Sequence, residues 1–426
     1  MLNKFKNISR DKKQLASNFV SLTLLQIFTY ALPLITLPYL VRVLGTEKYG
    51  LVVFAQSFMV FFNILVDYGF GLSATREISI NRDNKAKVTE IFSSVMEIKF
   101  MLVLLSFVSA SVIIFSFDKF RSDSVLYYLT FLYVIGQAMF PIWYFQGMEQ
   151  MKYITIVNII SKLIFTIAIF IFVRSEADYL LVPILNGFGF LVGGAYSLYL
   201  IRKIFNQDFT LQTIKTLNYY FKDGTQFFFS RLSSVGYSNI NTFLSGVLLS
   251  STFVAYYHIA DKVISIALAI FDPIVQSIYP YFSKKYDPNI FLKIFAFVVC
   301  ASMIVALLVF FVSDFISLFL FNEVNYIFLK VLYVLLFMIP ISALYVMLGA
   351  PLLLARGFKR EFNLSIIYGF LIHLIILSLI YVLFLSNIAI GEELLLYFAI
   401  SLVVSKFIVL LIRFYYVYIN KLHIKG

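Results

Sequence analysis

Five basic residues, Lys99, Lys162, Arg231, Lys262 and Lys406, and four acidic ones, Asp67, Glu97, Asp261 and Asp272, interrupt stretches that are otherwise almost wholly apolar. His373 is a further titratable group in the same kind of setting. At the centre of a bilayer a charged side chain costs roughly 2.5–3.5 kcal/mol, so it faces a polar cavity or a partner rather than lipid. Bases exceed acids by one before His373 is counted. Groups kept for structure alone would pair off to neutrality, whereas a surplus of ammonium and guanidinium groups suits a lumen that receives an anion. Arg231 and Lys162 are the first candidates to hold that anion, with Lys99, Lys262 and Lys406 as further lining cations. At about 1.5 Å of rise per residue, Lys99 and Lys162 lie roughly 12–14 Å in from one face and Arg231 about 10 Å.

The carboxylates admit a second task. An Asp in an apolar bundle can pick up a proton, and several together can ligate sodium. Asp67, Asp261, Asp272 and His373 are therefore the candidates for coupling transport to an ion gradient. Two plainer readings stand beside this one: Asp67 as an ordinary partner of Arg76 or Arg231, and His373 as a ring hydrogen-bonded within the bundle. Lys293, Lys330 and Arg413 lie near enough to the ends of apolar runs to snorkel and receive no role.

Enzyme chemistry finds no foothold. Gly45 to Gly50 has the glycine spacing of a phosphate-binding loop, but Leu51-Val52 stand where Lys and Ser/Thr are required. Neither a Gly-x-Ser-x-Gly elbow nor a His-Glu-x-x-His pair occurs. The single cysteine, Cys300, excludes an intrachain disulfide, and three scattered histidines build no metal site. We expect no enzyme, no cofactor and no metal. Trp143, Tyr144 and tyrosines such as Tyr30, Tyr39, Tyr256 and Tyr257 read as interfacial anchors more readily than as sugar-stacking platforms. Gly189 and Gly193 form a GxxxG that lets two helices approach closely.

The elements that must position these residues follow from composition. Of 426 residues, 61% are apolar and 13% charged, against roughly 45–50% and 25% in soluble domains. Disorder and a soluble fold are both excluded, because so much apolar surface has to be buried or placed in lipid. Unbroken runs such as Phe100 to Phe117 lack the alternation of barrel strands, so the spanning elements are helices. We place them near 15–41, 49–72, 91–116, 125–145, 153–173 and 180–201, then 224–249, 253–279, 290–313, 327–354, 362–385 and 394–419. This is an all-α integral membrane protein with twelve transmembrane helices. It divides into a basic N-terminal arm (1–14), an N-lobe (15–201), an amphipathic linker (202–222), a C-lobe (223–419) and a tail (420–426). With the N-terminus inside, the cytosolic segments carry 21 Lys and Arg and the periplasmic ones five, which sets both termini in the cytosol. The basic arm and the long first run read as a retained helix rather than a cleaved leader. Positive charge spread over many short loops suits topology and lipid, not nucleic acid. At an offset of 205, Ala55-Gln56 aligns with Ala260-Asp261, Asp67 with Asp272 and Gln26 with Arg231. Six spans per half would give two pseudo-symmetric lobes of like orientation. In the linker, Leu211, Ile214, Leu217 and Phe221 fall at helical spacing, as in a helix lying on the cytosolic surface.

The stretch LPLITLPYLVRVLGTEKYGLVVFAQS (32–57), followed by DYGFGLSATREIS (67–79), resembles the N-terminal signature of the Wzx-type O-antigen flippases. These form the polysaccharide-transport branch of the MATE-like exporter superfamily. WYFQGMEQMKYI (143–154) and GAPLLLARGFKREFN (349–363) are similar to further family stretches. The resemblance implies a MATE-like fold, two six-helix lobes around a central cavity open alternately to the two sides of the bacterial inner membrane. It implies as substrate a short oligosaccharide on undecaprenyl diphosphate, flipped from the cytosolic to the periplasmic leaflet. It also implies a proton or sodium as coupling ion, and a polysaccharide polymerase and chain-length regulator as partners. The family motif carries over by direct match to Asp67, Gly69, Gly71, Arg76 and Glu77. The alternatives are a flippase for capsule or another surface glycan, a cation-coupled drug exporter, for which a basic lumen is unsuited, and a membrane glycosyltransferase or polymerase, for which the periplasmic loops are too short.

Overall fold

The computed structural model describes residues 2–284 and 286–420, with side chains described from Leu24 onward except at Ile27, Gln276, Pro280 and Lys284. The side chains of the basic arm (1–14) and the tail after Asn420 lie outside the described residues. The described elements are all helices, without a strand among them. The chain divides into two compact units, Met1–Leu44 with Ala55–Leu232, and Gly45–Phe54 with Ser233–Gly426.

In the first unit, α1 (Leu2–Asp67) is broken at Gly45, whose φ of +69° is open to glycine at little cost. A second break at Tyr68 (φ +43°) and Gly69 (φ +79°) separates it from α2 (Phe70–Ile80). The Asn84 side chain accepts from the Lys87 N–H and so caps α3 (Lys85–Ser116). The short α4 (Asp118–Arg121), α5 (Ser124–Ala138), α6 (Ile142–Gly147) and α7 (Met151–Phe172) follow. A 3-10 turn (Glu176–Leu180) leads into α8 (Leu181–Phe205), which stops at Asn206 in the left-handed region. Small residues let α8 close on its neighbours: a Cβ on Gly189 would stand 2.6 Å from the Ser161 carbonyl oxygen, and one on Gly136 2.7 Å from the Leu191 nitrogen. Trp143 and Tyr144 are buried against Phe92 rather than displayed at an interface. Residues 206–213 are not helical, and Ile214 opens α9 (Ile214–Leu248), one continuous helix. Leu211 therefore precedes the helix, and Ile214, Leu217 and Phe221 ride on its opening turns.

In the second unit, α10 (Ser251–Ala269) and α11 (Asp272–Lys284) are bent by 40° at Ile270–Phe271. Asp287 caps α12 (Pro288–Phe311) through the Asn289 and Ile290 N–H groups, with Pro288 at its first position. Then come α13 (Ser313–Phe321), α14 (Tyr326–Leu336) capped by Asn325, α15 (Met338–Leu348), a π-helical turn (Gly349–Leu354), α16 (Lys359–Leu385) and α17 (Gly391–Ile419). The Gly45–Phe54 segment is tied in by the Tyr49 hydroxyl, 3.0 Å from His258 Nδ1. The same order of elements thus occurs twice. A long helix breaks near an Asp (Asp67, Asp272), a helix of about three to four turns follows, then a long span, a short helix, and a span that breaks before its last turns at α6 or at the π-helical turn.

Nine helices among the described residues are long and apolar enough to cross a membrane, ten when the bent α10–α11 pair counts as one span. The first, Leu24–Ile80, is 57 residues long, about 85 Å at helical rise, against a hydrocarbon core of about 30 Å. The α9 helix is not among the nine; Gln226, Ser230, Arg231, Ser234, Ser238, Asn239 and Asn241 make it too polar.

Candidate functional site

Tyr68 and Gly69 shape a socket for α9. Two residues with positive φ turn the chain between α1 and α2, and only a residue without Cβ fits at Gly69, where a methyl would stand 2.7 Å from Phe227 Cβ. The Tyr68 ring stacks on Phe221 (centroids 4.4 Å apart) and on Phe228 (5.0 Å), and its hydroxyl is 3.2 Å from Thr225 Oγ1. Arg76 Nη2 donates to Asp223 Oδ1 at 2.8 Å and to Glu77 Oε1 at 3.1 Å. Gly71 has room to spare, its nearest neighbour being Asp67 Oδ2 at 3.8 Å from a Cβ position. The family motif thus grips residues 221–228 of α9. One turn further along, Arg231 Nε stands 3.6 Å from Asp67 Oδ2. Of the two partners considered for Asp67 it is Arg231 that the fold brings to it, while Arg76 turns to Asp223 and Glu77.

The other first-unit cations are dispersed. Lys99 is 4% exposed and makes no ion pair within 4 Å among the described residues, with Asp67 the carboxylate that acts on it. Lys162 Nζ donates to Thr29 Oγ1 at 2.8 Å. Glu97 accepts from the backbone N–H of Gln212 at 2.9 Å and so anchors the chain leading into α9. Outside the apolar spans, Arg82 bonds Glu149 at 2.9 Å and holds its carboxyl below the usual carboxylate range.

In the second unit, Asp261 of α10 and Asp272 of α11 line a cavity of about 250 Å³ together with Tyr237, Tyr345 and Lys406. The Lys406 ammonium lies over two rings, 4.5 Å from the Tyr237 centroid and 4.9 Å from that of Tyr345. Lys262 is half-buried beside Asp261 and does not line this cavity. Here carboxylates outnumber ammonium groups two to one. No cluster of three or more His, Cys, Asp or Glu able to hold a metal occurs among the described residues.

His373 is fully buried, and both ring nitrogens are engaged: Nδ1 with Ser405 Oγ at 2.8 Å and Nε2 with Asn241 Oδ1 at 2.9 Å. Asn241 is a site residue that charge-based reading of the sequence passes over; its polarity within span 7 was the available signal. Arg413 is the other. It is 2% exposed rather than snorkelling, with Nε donating to Ser365 Oγ at 3.0 Å and Nη1 to the Tyr345 carbonyl at 2.6 Å.

Comparison with known proteins gives consistent findings. The family model described as "Polysaccharide biosynthesis protein" matches residues 15–285. The chain is 30% identical over 280 residues to a protein of Escherichia coli (strain K12) named "Putative O-antigen transporter", an alignment covering 65% of this chain and 67% of that one. A protein of the same name from Shigella dysenteriae is 29% identical over 283 residues, covering 66% and 70%. Among solved structures, the lipid II flippase MurJ in an inward closed conformation is similar with a TM-score of 0.71 at 14% identity, covering 95% of this chain and 87% of that one. An inward-facing multidrug resistance MATE family transporter of the MOP superfamily gives 0.69 at 14%, covering 96% and 99%. At such identities the two structures speak for the fold alone.

Proposed function

This chain belongs to the polysaccharide biosynthesis protein family, and from that premise we propose that it is a flippase for undecaprenyl-diphosphate-linked oligosaccharide, the O-antigen repeat unit. It works by alternating access in the bacterial inner membrane, moving its cargo from the cytosolic to the periplasmic leaflet with both termini in the cytosol. The proposed span count is twelve, in two six-helix lobes. Leu24–Ile80 is far too long for one crossing and counts as two, α10–α11 counts as one bent span, and α9 crosses as a polar helix facing the lumen. The twofold recurrence of elements supports the lobes.

The observation that carries the reading is Arg231. Its side chain is 54% exposed on a helix placed among membrane spans, and exposure of the guanidinium there has to be to water, since lipid would not solvate it. A water-facing guanidinium loosely paired with Asp67 can exchange that partner for a diphosphate, which accepts the planar donor fork more strongly. Lys162, Lys99, Lys262 and Lys406 are the further cations of the proposed cargo path. Asp67, Asp261, Asp272 and His373 are the proposed sites for a coupling proton or sodium. Gly69, Arg76 and Glu77 act by holding α9 and with it Arg231, while Gly71 sits beside Asp67. A polymerase and a chain-length regulator are the proposed partners downstream.

The test is complementation of a strain lacking its own repeat-unit flippase. The wild-type chain restores surface polymer, and Arg231→Ala abolishes it while inserting at normal levels. Full polymer from the variant removes Arg231 from the mechanism, and failure of the wild type across O-antigen and capsule hosts overturns the assignment.

A further inference from the structure

Resting on the flippase reading above, we propose that the coupling ion is a proton taken up by His373, with the Ser405 hydroxyl as the group that reverses to admit it. The argument is one of hydrogen-bond valence. Asn241 of α9 donates its amide nitrogen to the Phe398 carbonyl at 2.8 Å and to the Tyr257 hydroxyl at 3.0 Å. A carbonyl can only accept, so the orientation of that amide is fixed, and Asn241 Oδ1 is the atom facing the imidazole. Nε2 of His373 therefore carries hydrogen.

On the other side of the ring, Ser405 has one hydroxyl hydrogen and two acceptors within reach, His373 Nδ1 and the Ser401 carbonyl. With a neutral ring, Nδ1 is bare, and Ser405 has to donate to it and leave the carbonyl. When a second proton arrives, the Nδ1–H bond forms with the ring's own lone pair. The ring becomes cationic, Nδ1 donates to Ser405 Oγ, and the hydroxyl turns to the Ser401 carbonyl. Every contact then holds one hydrogen. The cluster has a place for one more proton than a neutral imidazole brings. Release reverses each step and returns the proton to water.

The route to this buried ring runs by Tyr237. Its ring lies 5.0 Å from that of His373, it lines the cavity of the second unit, and its buried hydroxyl faces Ser405. The titratable and charged groups facing the cluster are Tyr237 of α9, Tyr257 and Asp261 of α10, Tyr345 of α15 and Lys406 of α17. None is a carboxylate in contact with the ring. The oxygens around the ring, Asn241 Oδ1, Ser405 Oγ and the Ser401 carbonyl, are each engaged in hydrogen bonds of the cluster itself. Lys406 is the group that transmits the event. It sits over the same Tyr237 ring that flanks His373, so charge on the imidazole repels it toward Asp261 and Asp272 across the cavity.

Two experiments on the full-length chain test this. The sequence holds only three histidines, so ring resonances of isotopically labelled protein in nanodiscs are assignable by comparison with His373→Gln. The expected result is that His373 passes from one tautomer to the doubly protonated ring as pH falls from 8 to 3, with Ser405→Ala weakening proton binding about tenfold. A ring fixed in one state over that range overturns the proposal. In proteoliposomes, movement of a polyprenyl diphosphate oligosaccharide is measured with and without an imposed pH gradient. The gradient should accelerate the wild type, and His373→Gln should bring the ratio to one. An unchanged ratio overturns the proton site and leaves the flippase standing, whereas a wild type that moves no cargo under any condition overturns the flippase itself.

Discussion

Two glycines of one motif, two residues apart, should respond to alanine with opposite signs. At Gly69 the backbone has φ +79°, where an L-residue costs about 1–2 kcal/mol. The new methyl would also stand 2.7 Å from Phe227 Cβ and 2.9 Å from both the Phe227 carbonyl carbon and the Phe228 nitrogen. Two of those atoms are backbone of α9, so relief means displacing the helix, and overpacking of this kind costs about 1–3 kcal/mol. The sum is about 2–5 kcal/mol. At Gly71 a methyl meets only Asp67 Oδ2 at 3.8 Å, an ordinary contact. Alanine is there the better helix former by about 0.5–1 kcal/mol. Thermal unfolding of the purified protein in detergent reads both. At about 2–4 °C per kcal/mol for a unit of roughly 200 residues, Gly69→Ala should lower Tm by at least about 4 °C, and Gly71→Ala should leave it equal or raise it. Equal losses at both positions, or none at Gly69, would refute the account of the motif as a socket for α9.

The Arg82–Glu149 pair gives a pH dependence. Because the carboxyl is held below its ordinary value of 4.5, the stability it adds is present above that value and lost as pH falls through the lowered one. The pair is half-exposed, so the gain is at most about 1 kcal/mol, and the Tm difference between wild type and Glu149→Gln should shrink to nothing in acid. Arg413→Ala should destabilise by about 2–4 kcal/mol, since the Tyr345 carbonyl and Ser365 hydroxyl lose a charged donor in a dry site. Arg413→Lys should not restore it, because an ammonium cannot reach both acceptors in the geometry of the guanidinium fork; a wild-type melting curve for either variant would contradict this.

Much of this molecule could be read from its chain, and the limits are specific. Helical spans follow from unbroken apolar runs, whereas the caps that start three helices, Asn84, Asp287 and Asn325, lie ahead of those runs and come from the structure. The Asp67–Arg231 pairing was one of two readings, and spacing alone could not separate them, because the choice depends on how Tyr68 and Gly69 turn α2 toward α9. Arg413 was misjudged for a related reason. Its position near the end of span 12 suggested snorkelling, but Gly349 brings the backbone of the π-helical turn against its guanidinium and covers it. Trp143 and Tyr144 failed in the same way, since an aromatic belt and a buried aromatic cluster have one sequence signature and differ only in what packs over them. Polar but uncharged Asn241 carried no weight in a count of charges, although it fixes the state of the buried histidine.

A surplus of basic groups over the whole set conceals a division between the two units. The first holds Arg231, Lys99 and Lys162 against Asp67 and Glu97, and Glu97 is already committed to the Gln212 backbone. Its balance is cationic. In the second unit the cavity presents Asp261 and Asp272 against Lys406, with His373 one ring away. A single lumen with uniform positive charge would bind a diphosphate and find it hard to release. Under the proposed function the division solves that difficulty, because the first unit supplies attraction for the anion and the second supplies a group whose charge can be changed. Under the same proposal, protonation at His373 alters the field of the cavity and shifts Lys406, leaving Arg231, Lys99 and Lys162 of the first unit in place. On that proposal, affinity and its release are set by different residues on different helices.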